Sequence, residues 1–442
     1  MMKLPTLTRR TFQYGLAGML VTAVLSMGGC GGTGDSGNGN YPDPNASITT
    51  TKTANALIEP ATLKQWIDEG KLNNTDPASR DRVVVVTVAT AAQYAAQHIP
   101  GAQLLNSSTE LLMSRMEGVG SMSTMVIDGP TIDGLVKRLG IDSKTTVVFV
   151  ASKGQNALNA SRAYFTFRYW GFPRERLKVL NGGEDSWGKA ITADAWPADY
   201  ALTTALPTVA PSDFSVKNLY VYNGSSTANF AVRTSIGEML SVVDKLNNGT
   251  LAGDASGVSI LDVRGGNPAV YIQNAGVDDF AQYALSGSGN QSTFKANGDL
   301  VARLSTFGVT STKSMTYVYC ASGLRAASPF FVLDGILGWN VSLYDGSWGQ
   351  WSSYASTATA NKVATAWQTD VNTAGTTRSR SSGAIAPAGT SVAVDPTSNA
   401  MYSAIGDARG NQMLNEDKAY FTSDGGSVTP DNGGEGGGGS GC

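Results

Sequence analysis

Histidine and cysteine are scarce in this chain. It has one histidine, His98, and three cysteines, Cys30, Cys320 and Cys442, among 442 residues. One histidine excludes a histidine-rich metal site, and three thiols exclude a four-thiolate zinc site. A Cys–His hydrolase would have to use His98 as its base. Charge is also sparse: 15% of residues are charged and the net charge is −3, so no basic footprint for nucleic acid is present. The N-terminal apolar stretch, Tyr14 to Met27, is shorter than the roughly 20 residues that a membrane-spanning helix needs. No disulfide framework can be drawn from so few thiols.

Against that background one hexapeptide stands out, CASGLR, from Cys320 to Arg325. An apolar run, Met315 to Tyr319, precedes it, and an apolar helical pattern to Leu337 follows. A strand ending in Cys, then a turn with Gly323, then a helix makes an anion cradle. The N–H groups of Ala321, Ser322, Gly323 and Leu324 can converge on one point, and the helix N-terminus adds partial positive charge. Such a setting favours the thiolate form of a cysteine. Arg325 adds a cation that does not deprotonate. The combination suits a thiolate that attacks sulfur and holds charged oxygens or a persulfide nearby.

CASGLRA, the following FFVLDGILGW and VSLYDGSWGQW resemble the catalytic half of a two-domain rhodanese, a thiosulfate or mercaptopyruvate sulfurtransferase. The spacing Cys320 to Arg325 matches the rhodanese loop length, whereas related Cys-based phosphatases carry one residue more. The resemblance implies that Cys320 cycles through a persulfide held by the loop N–H groups, with no cofactor and no metal. Asp262 and Arg264, in ILDVR, match the family's D-x-R, and the resemblance gives them a supporting role. The fold it implies is α/β, with two tandem rhodanese-like domains, each a parallel sheet flanked by helices, plus a poorly ordered C-terminal extension.

The chain also reads as a repeat. VVVVTV, YAAQHIPGA, TTVVFV, a helical run, LKVLNGG and Trp187 in the first half parallel VSILDV, TYVYC, a helical run, VSLYDGS and Trp348 in the second. Strands alternating with helices predict parallel sheets. Aligning the halves puts Ala151 in the slot of Cys320, Thr87 in that of Asp262 and Ala89 in that of Arg264. The first half has lost each reactive group and keeps the apolar pattern. His98 falls in a His–Ile–Pro–Gly turn that resembles the family signature and is expected to be structural. The second half departs from the family. It lacks that turn, having ALSGSGNQ there, and GGNPAVY after D-x-R carries no cation.

The two ends point to location. Lys3, Arg9 and Arg10 precede the short apolar stretch, TRRTF resembles a twin-arginine export signal, and MGGC ending at Cys30 resembles a lipobox. Residues 1–29 are therefore read as an export signal and 30–54 as a lipidated Cys30 with a Gly-rich tether. Residues 55–205 form the non-catalytic and 206–353 the catalytic rhodanese-like domain. Residues 354–423 form an extension whose MYSAIGDARGNQMLNEDKAYF segment is complex enough to pack, and 424–442 form a disordered Gly-rich tail. Cys442 at its end is a possible resolving thiol for Cys320.

The expected protein is thus exported and anchored by lipid to a bacterial membrane, the outer membrane by the residue after Cys30. It acts on a small sulfur- or selenium-containing substrate with a thiol or redox protein as possible partner. The chain also resembles rhodanese-like lipoproteins of selenite and tellurite reduction, which would make the element selenium or tellurium. The competing expectation is a non-catalytic carrier of such oxyanions for a redox partner, favoured by the missing cation after D-x-R. The anchor has a direct check. Mass spectrometry of the mature N-terminus should find diacylglycerol on Cys30, and Cys30→Ala should leave the membrane fraction. Retention of Cys30→Ala in that fraction would refute the anchor.

Overall fold

The computed structural model describes residues 55–76, 82–118, 120–219, 231–247, 251, 253, 257–266, 268, 270–272, 274–356, 370–371 and 408–423. The expected export signal, tether and tail, with Cys30 and Cys442, lie outside these residues. Among the described residues no helix is long and apolar enough to cross a membrane.

The first half contains β1 (Leu57–Ile58), β2 (Arg82–Ala89), β3 (Gln103–Asn106), a hairpin of β4 (Met113–Glu117) and β5 (Gly120–Met125), β6 (Thr145–Ala151) and β7 (Leu177–Leu180). Its helices are α1 (Pro60–Asp68), α2 (Ala91–Ala96), α3 (Gly129–Arg138), α4 (Leu158–Tyr169) and α5 (Gly183–Ala193). The second half has β8 (Arg233–Thr234), β9 (Val258–Asp262), β10 (Val270–Tyr271), β11 (Ala275–Val277), β12 (Met315–Tyr319) and β13 (Val341–Tyr344). Its helices are α6 (Ile236–Asn247), α7 (Asn297–Ser305), α8 (Ala327–Phe331) and α9 (Ser347–Ser356), α8 running on as a π-helical stretch, Val332–Leu337. In the extension, β14 (Asp370–Val371) pairs with β10, and α10 (Gln412–Thr422) follows.

Each half forms a five-stranded parallel sheet. The orders are β1-β7-β6-β2-β3 and β8-β13-β12-β9-β11, so the two sheets have one topology. The valine run of β2 shows why a parallel sheet forms. Val84, Val86 and Val88 face one core and Val83 and Val85 the other, so both faces are covered and the strand reads as continuously apolar. In the second half Ile236, Met239, Leu240, Val243 and Leu246 form the buried face of α6, as their helical spacing predicts.

Register confirms the alignment of the repeats. Thr87 pairs with Val150 and Val88 with Ala151, while Asp262 pairs with Tyr319, the residue before Cys320. Ala151 and Cys320 therefore leave equivalent strand ends. One pairing changes. Ser186 N–H donates to Gly182 O and Gln350 N–H to Gly346 O, so the counterpart of Trp187 is Trp351 rather than Trp348. Both are fully buried where the helix packs on the sheet, and this sets the match. The domain boundary also shifts. Residues 207–219, read as the start of the second half, pack on the first, with Val216 N–H on Asp133 and the Ser212 hydroxyl on Ile141 O. Val216 and Leu219 are buried in its core.

The halves share a core along α4 and α8. Phe165 meets Phe330 edge-on at 5.0 Å, and Tyr164 meets Phe331 at 4.8 Å. Asp334, buried at the end of this seam, accepts from Arg168 Nε at 2.9 Å, Arg174 Nη2 at 3.1 Å and Tyr164 Oη at 2.6 Å. Burial raises its carboxyl, but the two guanidiniums outweigh burial and hold it below the ordinary range. Helix α10 also packs, with Met413, Leu414, Asp417 and Phe421 buried. Asp334→Ala should destabilise the protein by about 3 kcal/mol in urea unfolding, because two guanidiniums lose their only buried carboxylate. A loss below about 1 kcal/mol would show the seam to be held by its rings alone.

Candidate functional site

Cys320 stands at the C-terminal end of β12, in the centre of the second sheet, and is 1% exposed. The loop after it is shaped by what its carbonyls bond. Cys320 O accepts from Trp348 N–H and Ala321 O from Gly349 N–H, both at 2.9 Å, so the loop satisfies the first amides of α9. Ser322 O accepts from the Thr124 hydroxyl at 2.6 Å, and Gly323 O from Arg162 Nη1 at 3.4 Å. With four carbonyls turned to the framework, the amides turn the other way. Among the described residues no protein group accepts from the N–H groups of Ala321, Ser322, Gly323 or Leu324. That is an anion cradle beside a thiol.

Two positions are fixed by backbone conformation. Gly323 has φ +86°, and a Cβ there would lie 2.6 Å from Asp345 O. Ser347 adopts φ +53°, the left-handed region that a β-carbon disfavours, and its repeat counterpart Gly183 has φ +52°. The strained serine has a use. Its hydroxyl accepts from Cys320 N–H at 3.2 Å and donates to Tyr344 O at 2.9 Å, holding the Cys320 backbone.

Asp262 and Arg264 brace the cradle. Asp262 is fully buried and receives Arg264 Nη2 at 2.7 Å and Tyr319 Oη at 2.9 Å. Burial raises the Asp262 carboxyl, against the opposing pull of Arg264. The Arg264 guanidinium lies 4.3 Å from the Trp348 ring, and its carbonyl accepts from Arg325 Nη1 at 2.9 Å. Arg325 is thus placed at the rim, exposed, with its guanidinium 5.1 Å from the Phe280 ring. Beyond Phe280 lies a cavity of about 440 Å³, lined by Leu158 and Asn156 of the first half and Gln282, Leu285 and Lys295 of the second. Among the described residues no group of His, Cys, Asp and Glu is assembled to hold a metal ion.

Residues 59–190 match the rhodanese-like domain family. A putative thiosulfate sulfurtransferase of Haloferax volcanii is 26% identical over 313 residues, covering 67% of this chain and 93% of the relative. The sulfur carrier protein TtuD of Thermus thermophilus is 27% identical over 277 residues, covering 59% of this chain and 84% of that protein. YnjE of Escherichia coli, a thiosulfate sulfurtransferase, is 24% identical over 68% of this chain and 67% of its own. The crystal structure of YnjE matches with a TM-score of 0.50 over 70% of this chain and 68% of that one, at 19% identity, a likeness of fold. Residues 59–190 thus carry a rhodanese-like domain, and over about two thirds of its length the chain is similar to thiosulfate sulfurtransferases.

The repeat shows how the two equivalent loops differ. In the first half the matching loop, Ala151 to Asn156, keeps its glycine, Gly154, at φ +73°. Two of its amides are held by carboxylates of α5. Lys153 N–H donates to Glu184 at 3.0 Å and Gly154 N–H to Asp185 at 2.8 Å, and the Thr87 hydroxyl adds a third bond to Glu184. Burial pushes the Glu184 carboxyl up to about 7 despite these donors. His98 is structural, as its turn implies. It is buried, stacked on Tyr94 at 3.9 Å, with Nδ1 at Tyr94 O and Nε2 at Ala205 O.

Sequence reading did not single out Thr124, Arg162, Asp345 or Ser347 as site residues. Asp345 and Ser347 stand in the quoted YDGSW, where a helix begins beside the cradle. Thr124 and Arg162 reach the loop from the other half, and nothing local marks them. Gly323→Ala should lower transfer at least about a hundredfold, as expected when loop donors lose their aim. The Cβ would meet backbone, which cannot swing away. A folded Gly323→Ala of near wild-type rate, in a steady-state assay, would show the cradle to be dispensable.

Proposed function

We propose that this sulfurtransferase works through a persulfide on Cys320. The Cys320 thiolate attacks the outer sulfur of a sulfane donor such as thiosulfate. A new S–S bond forms as the donor's S–S bond breaks, and sulfite leaves with the electron pair. An acceptor nucleophile then takes the outer sulfur, and the Cys320 thiolate is the leaving group. The observation that carries this reading is the thiol at a strand end next to four unclaimed amides, suited to the charge that develops on sulfur in both steps. Asp262 and Arg264 hold the loop, and Arg325 steers anions at the rim. The cavity beyond Phe280 would receive the body of a donor or acceptor.

The family names its relatives both as enzymes and, in the Thermus protein, as a sulfur carrier. The carrier variant of the reading, in which Cys320 hands sulfur to a thiol protein, is favoured by the lack of a cation after D-x-R, where GGNPAVY stands. The same cradle suits selenium or tellurium oxyanions. We place the protein outside the cytoplasm on the Cys30 lipid, with the tether preceding the first sheet and Cys442 as a candidate resolving thiol.

In a thiosulfate:cyanide assay the wild type should turn over and Cys320→Ser should not. Mass spectrometry after thiosulfate alone should add one sulfur atom to the Cys320 peptide. Iodoacetamide at neutral pH should modify Cys320 and abolish transfer. Full activity in Cys320→Ala would end the proposal, while a persulfide without turnover to cyanide would move it to the carrier form.

A further inference from the structure

Helix α10 lies outside both repeats and outside the residues matched to the family, yet it touches the charged cluster beneath the catalytic loop. That cluster begins at the loop. Arg162, which bonds Gly323 O, pairs with Asp345 at 2.7 Å. Asp345 pairs with Arg233 at 3.2 Å and accepts from Val126 N–H at 2.8 Å. Arg233 pairs with Glu117 at 2.9 Å, and its Nη2 also meets Met413 Sδ of α10 at 3.4 Å. Two residues along β4, Arg115 makes a two-pronged bond to Asp417 of α10, at 2.9 and 2.7 Å. Tyr169 Oη donates to Asp417 at 2.7 Å. The side chains of Arg162, Asp345, Arg233 and Glu117 are 0% exposed, and those of Arg115 and Asp417 are 7% and 2%.

Charge arithmetic gives Asp417 its significance. Arg115, Arg162 and Arg233 supply three positive charges, and Glu117, Asp345 and Asp417 three negative ones. Asp417 is the only one of the six that comes from outside the two halves. Without it a buried cluster would hold an uncompensated guanidinium, and the partner free to shift would be Glu117 or Asp345, drawn toward Arg115. Movement of Asp345 bears on the loop directly, since its carbonyl lies 2.6 Å from where a Cβ on Gly323 would stand, and its carboxylate pairs with Arg162, which bonds Gly323 O. Glu416, 54% exposed and 3.6 Å from Arg115, is too solvated to replace it.

We propose that α10 is an intramolecular clamp whose Asp417 is a positioning residue for the Cys320 loop, acting by neutralising the cluster that fixes Asp345 and Gly323. The proposal rests on Cys320 as the sulfur-bearing thiol. The full-length protein and its Asp417→Asn, Arg115→Met and double variants decide it, with kcat, KM and the iodoacetamide rate at Cys320 measured alongside circular dichroism. Asp417→Asn should lower kcat about tenfold with KM nearly unchanged, and change the alkylation rate. Adding Arg115→Met should restore both, because it removes the stranded charge, whereas a merely structural contact would make the double variant worse.

A folded Asp417→Asn with wild-type kcat and alkylation rate overturns the proposal. So does a double variant that stays impaired, or that fails to fold. If Asp417→Asn itself does not fold, recovery of wild-type values in the double variant supports it. Absence of sulfur transfer in the wild type would instead count against the functional reading, with the alkylation rates still reporting loop position.

Discussion

The loop after Cys320 depends on one buried carboxylate. Asp345 is held between Arg162 of the first half and Arg233 of the second, and its backbone lies where any side chain at position 323 would have to go. Burial alone would raise its carboxyl, and the two guanidiniums reverse that and hold it low. A charge desolvated to this degree is tolerated only with its partners in place. The requirement fixes the arrangement of the halves as firmly as it fixes the loop. The first half contributes to the loop directly: Arg162 and Thr124 bond the carbonyls of Gly323 and Ser322.

The cradle illustrates a general economy of hydrogen bonding. Every backbone amide and carbonyl taken from water needs a partner. Here the carbonyls of four consecutive residues find theirs in α9, Thr124 and Arg162. The donors are left for a ligand. Preorganised donors of this kind stabilise developing negative charge without reorganising.

Much of this was legible in the sequence, for physical reasons. Parallel strands covered on both faces must be apolar at every position, so VVVVTV and VSILDV announced themselves. The loop was legible because Cys, Gly and a following helix act within a few residues of one another. Repeat alignment placed Ala151 and Thr87 correctly, since strand register preserves such equivalences. What escaped was long-range. Arg162 lies 161 positions from Gly323, and Asp417 lies 302 from Arg115. Single-chain patterns carry no record of such meetings. The Trp187 pairing slipped because α5 and α9 begin at the same structural point while WGQW offers two tryptophans.

The filled loop of the first half has its own meaning. Glu184 and Asp185 sit on amides that correspond to the open ones beside Cys320. A tethered carboxylate is present at a local concentration that no dissolved anion reaches, so it competes well for those two amides. Of the two equivalent loops, the one after Cys320 has its amides open. Occupancy thus separates the two loops of the duplicated fold: one is filled by its own carboxylates and the other is open.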